Sequence, residues 1–430
     1  MSAALPKERA AGRAADEALA ARDRALKGLE VVLDEDRLAE LLADGLPGAS
    51  LHAVRPTYVR YKPGTSCLVG CTLETGAGAA SGYVLLQRPD ERGKLAKHAD
   101  RARALNGAGT RVVLLPRYAA AFYPFPYDRR VVAAPALADP RRRGAVLRRA
   151  LRDRPEFWEA EFTVLRRKPE RRLVGRLVAR SGAAAVIKAY AAEFPGANRA
   201  AKLVGGEPPA TQRRLGRSRK WNVVVSEWLS GSVLEGELAS TPAAAAAAGA
   251  ALARLHRRDA VGLAWTGVAD EARRLAISAR SIGCLLPRER RAAERVATGV
   301  AVALGADATP ALTHGDFSAD QVVIEHGRGA LLDLDEAVGA DPARDLGSFR
   351  AALAGDEAAG RLCAPTAQEA ARALAAGYRA VGGEVPDSRT DVWTAAAILH
   401  LVPEPFRRRQ AAWPEQATAL LRRAETILAS

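Results

Sequence analysis

The sequence predicts an α+β protein in which a small antiparallel sheet precedes a larger helical lobe, with a duplicate of the small sheet in front of both. Three observations carry this reading. Strand-like segments joined by Gly-containing turns occur twice, about 106 residues apart. From Pro242 onward apolar residues recur mostly at helical spacing. The chain has 430 residues, 48% hydrophobic and 26% charged, which suits two or three domains with buried cores.

Residues 1–50 read as helical, because Leu29, Val32, Leu33, Leu38, Leu41 and Leu42 share a helical period, and Gly45 and Pro47 end the stretch. Strands are expected at Thr57 to Tyr61, Cys67 to Leu73 and Gly82 to Leu86. Arg60-Tyr61-Lys62-Pro63, Leu68-Val69-Gly70 and Tyr83-Val84-Leu85-Leu86 are echoed by Arg166-Arg167-Lys168-Pro169, Leu173-Val174-Gly175 and Ala185-Val186-Ile187-Lys188. Both copies read as three-stranded meanders, and two copies make a duplicated sheet rather than a solenoid. Lys188 of the second copy corresponds to about Gln87 in the first, which has no ammonium there.

Between the copies, Pro116 to Pro140 is rich in proline and aromatics and reads as an ordered irregular connection before a helix from Arg141 to Leu151. Next come a helical stretch at Ala197 to Val204, a polar loop, a strand at Asn222 to Ser226 and a break at Glu227-Trp228-Leu229-Ser230-Gly231. Thr241-Pro242 pairs an N-cap residue with proline at the first helical position. A strand and loop at Leu312 to Ile324, a turn at His326 to Gly329 and a strand from Ala330 to Leu334 interrupt the helices. The expected division is a cap domain at 1–155, a small lobe at 156–232 and a helical lobe at 233–430.

Lys and Arg number 64 against 49 Asp and Glu, giving a net charge of +15. Only nine of the 64 are lysine and alanine is abundant, a pattern of a GC-rich genome rather than of nucleic-acid binding. The densest basic run, Arg141 to Arg149, has no interleaved aromatics, so it reads either as a solvated helix face or as an anion-contacting patch. A basic protein repels a polycationic substrate within about 10 Å at moderate salt. No apolar run approaches the roughly 20 residues of a membrane span, and no apolar segment follows the charged N-terminus. Four cysteines, Cys67, Cys71, Cys284 and Cys363, lack disulfide-framework or zinc spacing. Neither nucleic acid nor membrane is expected as a partner, and the expected location is cytoplasmic. Oligomeric state is left open.

The chemistry concentrates in Thr313-His314-Gly315-Asp316-Phe317-Ser318-Ala319-Asp320-Gln321 and Leu331-Leu332-Asp333-Leu334-Asp335. A loop carboxylate is followed five residues on by an amide, and after a hairpin by a second carboxylate. Phosphoryl transfer from a nucleotide needs such a set: one carboxylate for the acceptor hydroxyl, and hard oxygens to hold Mg²⁺ against the phosphates.

Asp316 to Asp345 resembles the catalytic segment of the aminoglycoside phosphotransferase and choline-kinase-like families, which share the bilobal protein-kinase fold. The resemblance implies that Asp316 is the catalytic base, that Gln321 and Asp333 hold the metal, and that Asp345-Leu346-Gly347 braces the catalytic loop. Most members carry Asn where Gln321 stands. Maltokinases and related sugar kinases, which also carry an N-terminal cap, are similar in having Gln there. Upstream, Lys188 resembles the strand lysine that steadies nucleotide phosphates, with Glu193 or Glu207 as its carboxylate partner. Ser226 to Leu234 resembles the hinge, in which Glu227 and Leu229 contact the nucleotide, and Leu252-Ala253-Arg254-Leu255-His256 resembles the helix that follows.

Beside the resemblance stand the plainer readings. Lys188 alone could be an edge-strand lysine, and His314 is expected to brace the loop. Asp335 is either a further ligand or a turn carboxylate. Asp320 is expected to face solvent, and Ser318 either touches the acceptor or is a loop serine. A Gly-rich phosphate loop is absent; Lys168-Pro169-Glu170-Arg171-Arg172 takes its place, either as a solvated turn or with arginines reaching phosphate.

The expected activity is ATP- and Mg²⁺-dependent phosphorylation of a hydroxyl on a small molecule. Residues 351–430 hold nine acidic residues and nine arginines, which favours a neutral, sugar-like acceptor over an aminoglycoside. Trp393, Phe406 and Trp413 either stack on a sugar or belong to the core. The rival readings are a kinase of Ser/Thr hydroxyls on an acidic peptide, a catalytically inactive binding protein of the same fold, and a nucleic-acid binder.

Overall fold

The computed structural model describes residues 6–46, 50–91, 93, 95–97, 99–100, 112–192, 210–237, 242–306 and 308–429. The expected helix at Ala197 to Val204, the cap residue Thr241, and both candidate partners of Lys188, Glu193 and Glu207, lie outside these residues. The chain divides into two compact units. The first comprises Met1–Glu193, Leu215–Glu227 and Pro405–Pro414; the second comprises Phe194–Arg214, Trp228–Glu404 and Glu415–Ser430.

In the first unit the helices Pro6–Arg22, Leu29–Leu33 and Glu35–Gly45 lie within the N-terminal stretch expected to be helical, the last two along the leucine period. Asp34 caps the third helix, accepting from the backbone N–H of Asp36 and Arg37. Strands β1 (Leu51–Lys62), β2 (Ser66–Thr75), β3 (Gly78–Gln87), β4 (Val113–Leu115) and β5 (Ala120–Pro124) form one sheet in the order β1-β2-β3-β5-β4. Strands β6 (Glu161–Lys168), β7 (Arg172–Val178), β8 (Ala184–Tyr190), β10 (Arg214–Ser218) and β11 (Val223–Glu227) form a second, ordered β6-β7-β8-β11-β10. The two orders are the same: a meander, then its last-formed strand added beside the third, with the fourth at the edge.

The duplication thus reaches beyond the meander. The expected irregular connection after Pro116 contains β5, whose Phe122 and Tyr123 are buried; Tyr123 stacks on Tyr83 of β3 with centroids 4.8 Å apart. The polar loop before Asn222 likewise contains β10. Both added strands are short, and a five-residue strand with only partial alternation has little period to read.

Pairing register also corrects the alignment of the copies. Lys62 pairs with Ser66, and Lys168 with Arg172, so both first hairpins have three-residue turns. The Leu-Val-Gly steps are therefore one residue out of phase. Leu68 pairs with Leu85, and its counterpart Val174 pairs with Lys188, so the residue in place of Lys188 is Leu85, not Gln87.

Pro405–Pro414 belongs with the N-terminal helices. Arg409 pairs with buried Asp16 at 2.5 Å and donates to the Leu33 carbonyl at 3.0 Å. Phe406 and Trp413 pack edge to face, 5.1 Å apart.

The second unit is mostly helical. The alanine-rich helix Pro242–His256 packs on Ala364–Ala380 through two glycines. A Cβ on Gly249 would lie 2.0 Å from the Leu374 carbonyl oxygen, and one on Gly377 would lie 1.9 Å from that of Ala246. The small residues allow the helix backbones to approach closely. No helix among the described residues is long and apolar enough to cross a membrane. Between the helices, β12 (Ser232–Val233), β14 (Val322–Glu325) and β15 (Arg328–Leu331) form a sheet with β9 (Ala210–Thr211), and β13 (Ala311–Thr313) pairs with β16 (Val338–Ala340).

Candidate active site

The loop after β13 is fixed from several sides. Thr313 donates its hydroxyl to the Val338 carbonyl at 2.8 Å. Phe317 is buried between His314 and Phe349, each ring 5.7 Å away. Gly315 has φ +84, and a Cβ there would lie 2.1 Å from the Glu336 carbonyl oxygen, so only glycine fits. Beyond this turn Asp316 is exposed.

Asp345 holds the loop. Its carboxylate, 0% exposed, accepts from the N–H of His314 at 2.6 Å, the N–H of Gly315 at 3.0 Å and His256 Nε2 at 3.0 Å. Burial pushes this carboxyl up, but the hydrogen bond and charge of His256 outweigh it and hold the group below its ordinary range. His256 reaches on through Nδ1 to the Tyr378 hydroxyl at 2.8 Å. Asp345 thus braces the loop, as the resemblance implies, whereas His256 and Tyr378 were given no role from sequence. The only available signal was the position of His256 at the end of its helix.

His314 also braces. Its Nε2 lies 2.7 Å from the Leu332 carbonyl, which can only accept, so Nε2 carries the proton. Nδ1 is then the acceptor facing the Asp316 N–H at a long 3.4 Å. One imidazole ties this loop to the segment leading into Asp333.

Gln321 ends a 3₁₀ turn, Ala319–Gln321, and enters β14. His326 and Gly327, both at positive φ, close the β14–β15 hairpin. Leu332 N–H donates to the Gln321 carbonyl at 2.8 Å, extending the ladder one pair past the strands. Asp333 follows directly, so the backbones of the two predicted metal-binding residues are held side by side. The expected strand to Leu334 is corrected: β15 stops at Leu331, because Asp333 is left-handed (φ 55, ψ 57) and opens a 3₁₀ turn, Leu334–Glu336. Asp335 is buried within that turn. Asp320 is half-buried rather than exposed and accepts from the Ser318 hydroxyl at 2.6 Å. Among the described residues no three His, Cys, Asp or Glu side chains group as a metal cage.

Lys188 and Glu227 lie in the first unit, while Asp316, Gln321, Asp333 and Leu229 lie in the second; the boundary falls between Glu227 and Trp228. Lys188 is not an edge-strand lysine: it sits in β8, paired with Val174 on one side and Val224 on the other. The turn that replaces a phosphate loop is not solvated at its tip. Glu170 is 3% exposed and accepts from Arg129 Nε at 2.7 Å and Arg60 Nη2 at 3.0 Å, while its N–H donates to Asp128. Arg60 and Arg129 come from the first copy and its following segment, so the hairpin tip is clamped onto that copy. Trp393, Phe406 and Trp413 are buried in the cores, which removes them as stacking surfaces for a sugar; Trp393 donates its indole N–H to Asp341 at 2.7 Å.

Residues 160–384 match the phosphotransferase enzyme family, APH. No curated protein matches the chain. Among solved structures it is similar to a macrolide 2′-phosphotransferase of Brachybacterium faecium, with 17% identity, TM-score 0.42, and coverage of 61% of this chain and 93% of that one. A thermostable mutant of aminoglycoside phosphotransferase APH(4)-Ia, in complex with ADP and hygromycin B, shows 13% identity, TM-score 0.49 and coverage of 64% and 96%. A choline/ethanolamine kinase family protein from Mesorhizobium loti shows 20% identity, TM-score 0.47 and coverage of 63% and 88%. Because the family match takes in over half of the chain, the protein belongs to the APH phosphotransferase family: it is an enzyme of protein-kinase-like fold that phosphorylates hydroxyl groups.

Proposed function

We propose that the enzyme transfers the γ-phosphoryl group of ATP to a hydroxyl of an uncharged, sugar-like small molecule. The observation that carries the reading is the braced segment: Asp345 pins the main chain at His314 and Gly315, and Asp316 emerges exposed directly after it. Asp316 orients the acceptor hydroxyl and takes its proton. Gln321 Oε1 and the Asp333 carboxylate are hard oxygen donors that would hold Mg²⁺, which would neutralise phosphate charge. Lys188 contacts the α- and β-phosphates, and the backbone at Glu227 and Leu229 contacts the base. In this reading residues 1–155 form a cap without a nucleotide site, because Leu85 stands in place of Lys188, 156–232 form the small lobe, and 233–430 the catalytic lobe.

The choice of acceptor rests on charge. Three of the nine arginines in 351–430, Arg407, Arg408 and Arg409, belong to the first unit, so the evenly balanced lobe expected from sequence is instead acidic by composition. Yet Asp356, Glu357, Asp387, Asp391 and Glu425 are engaged by Arg361, Arg423, Arg379, Arg350 and Arg295. That leaves less acid to attract a polycation. With Trp393, Phe406 and Trp413 buried, the acceptor is held by hydrogen bonds rather than by stacking on these rings.

The test is ADP release by the purified chain with Mg·ATP and a panel of neutral sugars, aminoglycosides, macrolides, choline and acidic peptides. Turnover is expected with a neutral polyol, and Asp316→Asn should slow it at least about 10²-fold. Exclusive turnover of a polycation or a peptide would reject the acceptor class. Near-normal turnover in Asp316→Asn would remove that residue from the mechanism.

A further inference from the structure

The tip of the β6–β7 hairpin stands where a phosphate loop is expected, yet its turn residues have no backbone N–H left for a phosphate. Pro169 carries none. The Glu170 N–H donates to Asp128 at 2.9 Å, and the Arg171 N–H closes the turn onto the Lys168 carbonyl at 3.0 Å. Phosphate contacts from this turn therefore fall to side chains, and register identifies one. Val174 lies opposite Lys188, and Arg172 stands two residues before Val174, so Arg172 and Lys188 share one face of the sheet. The other face, with Leu173, Ile187 and Ala189, is buried in the core. A guanidinium fork matches phosphate oxygens in pairs.

The same tip is gripped from the first copy and the segment after it. Besides pairing with Glu170, Arg60 donates to the Pro169 carbonyl at 3.4 Å, and Arg167 Nη2 donates to the Gly82 carbonyl at 2.8 Å. The duplicate hairpin shows what is particular to this one. Its middle turn residue is Gly64, at φ 64, whose N–H donates to Asp23 at 2.8 Å. Glu170 holds the same place at φ 57, and its N–H likewise meets an aspartate, Asp128. The left-handed region is costly for an L-residue and open to glycine. A strained glutamate stands where its twin has glycine, so the position needs the carboxylate, which the turn itself does not.

We infer that Glu170 is a positioning residue for nucleotide binding: locked by Arg60 and Arg129, it fixes the hairpin so that Arg172 meets the phosphates of ATP beside Lys188. The first copy thereby sets the ATP affinity of the second. The inference rests on the nucleotide reading given above, in which Lys188 contacts the phosphates, and does not depend on the acceptor.

The experiment is titration calorimetry of the full chain with Mg·ATP and, separately, with adenosine, which carries no phosphate, at a temperature where each variant is folded by circular dichroism. Glu170→Gln keeps the shape of the side chain and removes its charge; it should weaken Mg·ATP binding about tenfold and leave adenosine unchanged. Arg172→Gln should weaken Mg·ATP binding about tenfold or more. The double variant should bind little worse than Arg172→Gln alone, because Glu170 acts through Arg172. If Glu170→Gln fails to fold, Arg60→Gln, which leaves Arg129 on the carboxylate, carries the same expectations. Parental Mg·ATP affinity in Glu170→Gln, with weaker binding in Lys188→Ala, would leave the nucleotide site standing and overturn the positioning role. Equal losses for adenosine and Mg·ATP, or losses that multiply in the double variant, would mean a general disturbance and overturn it as well. Parental affinity in both Lys188→Ala and Arg172→Gln would remove the nucleotide reading itself, and this inference with it.

Discussion

Replacing Asp345 with Asn removes one negative charge from a site with no solvent access and three donors. The carboxylate satisfies the N–H of His314, the N–H of Gly315 and His256 Nε2 with two oxygens. Asn offers one oxygen and places an amide NH₂ where the other stood, opposite a donor. At least one charge-assisted hydrogen bond is lost, worth about 1.5–3 kcal/mol, and one buried donor is left unsatisfied at about 1–3 kcal/mol. Together these come to about 2.5–6 kcal/mol, a range that contains the roughly 3–5 kcal/mol cost of breaking a buried ion pair. For a unit of roughly 200 residues this lowers Tm by roughly 6–20 °C. The released backbone lies directly before Asp316, the proposed base, and a displacement of about 1 Å in a catalytic group costs about 10²-fold in rate. Differential scanning calorimetry of the transition assigned to the second unit, with kcat and KM for ATP, tests both parts. The expected pattern is a lower Tm and a kcat loss larger than any change in KM. A Tm within about 2 °C of the parent together with unchanged kcat would refute the bracing role.

Three further outcomes are expected. Glu170→Ala leaves Arg60 and Arg129, about 19% and 20% exposed, without their carboxylate; discounted for that access to water, the cost is about 2–3 kcal/mol, read as a drop in the Tm of the first unit, and an unchanged Tm would show that the clamp contributes nothing. Glu271 is buried, and although burial pushes its carboxyl up, His400 at 2.6 Å and then Arg274 hold it below its ordinary value of 4.5. Its contribution to stability is therefore present above about pH 4.5 and lost as pH falls through the lower folded value; Glu271→Gln should be less stable than the parent at neutral pH and converge on it in acid, and a gap independent of pH would contradict this. Burial pushes the thiols of Cys67 and Cys71 up to about 12, whereas exposed Cys363 is held below its ordinary value by Thr366. Alkylation of the native protein followed by mass spectrometry should label Cys363 first, with Cys67 and Cys71 reacting only on unfolding; early labelling of either buried thiol would contradict the packing of β2.

Much of the candidate catalytic segment was legible because its residues are local in sequence. Asp316, Gln321 and Asp333 fall within one loop and one hairpin, and a two-residue turn sets their spacing along the backbone. The braces of that segment were less legible. Asp345 was expected in that role, but its partner His256 comes from a helix 89 residues away, and Tyr378 from a further helix. Register was beyond reach as well: the repeat suggested about Gln87 as the counterpart of Lys188, and only the equal lengths of the two hairpins bring Leu85 to that place. Such a shift in pairing leaves the repeat pattern unchanged and shows only in the strand register.

The amino-acid order alone determined the duplicated meander, the helical character of the C-terminal half and the stretch proposed to carry phosphotransfer chemistry, because each is written in local period, turn residues and short spacing. Tertiary structure decided that the duplication extends to all five strands, that Pro405–Pro414 packs with the N-terminal helices, and that Glu170 is sealed between arginines. These depend on residues far apart in the chain sharing one core, and burial and charge pairing between distant segments leave no periodic trace along a single sequence.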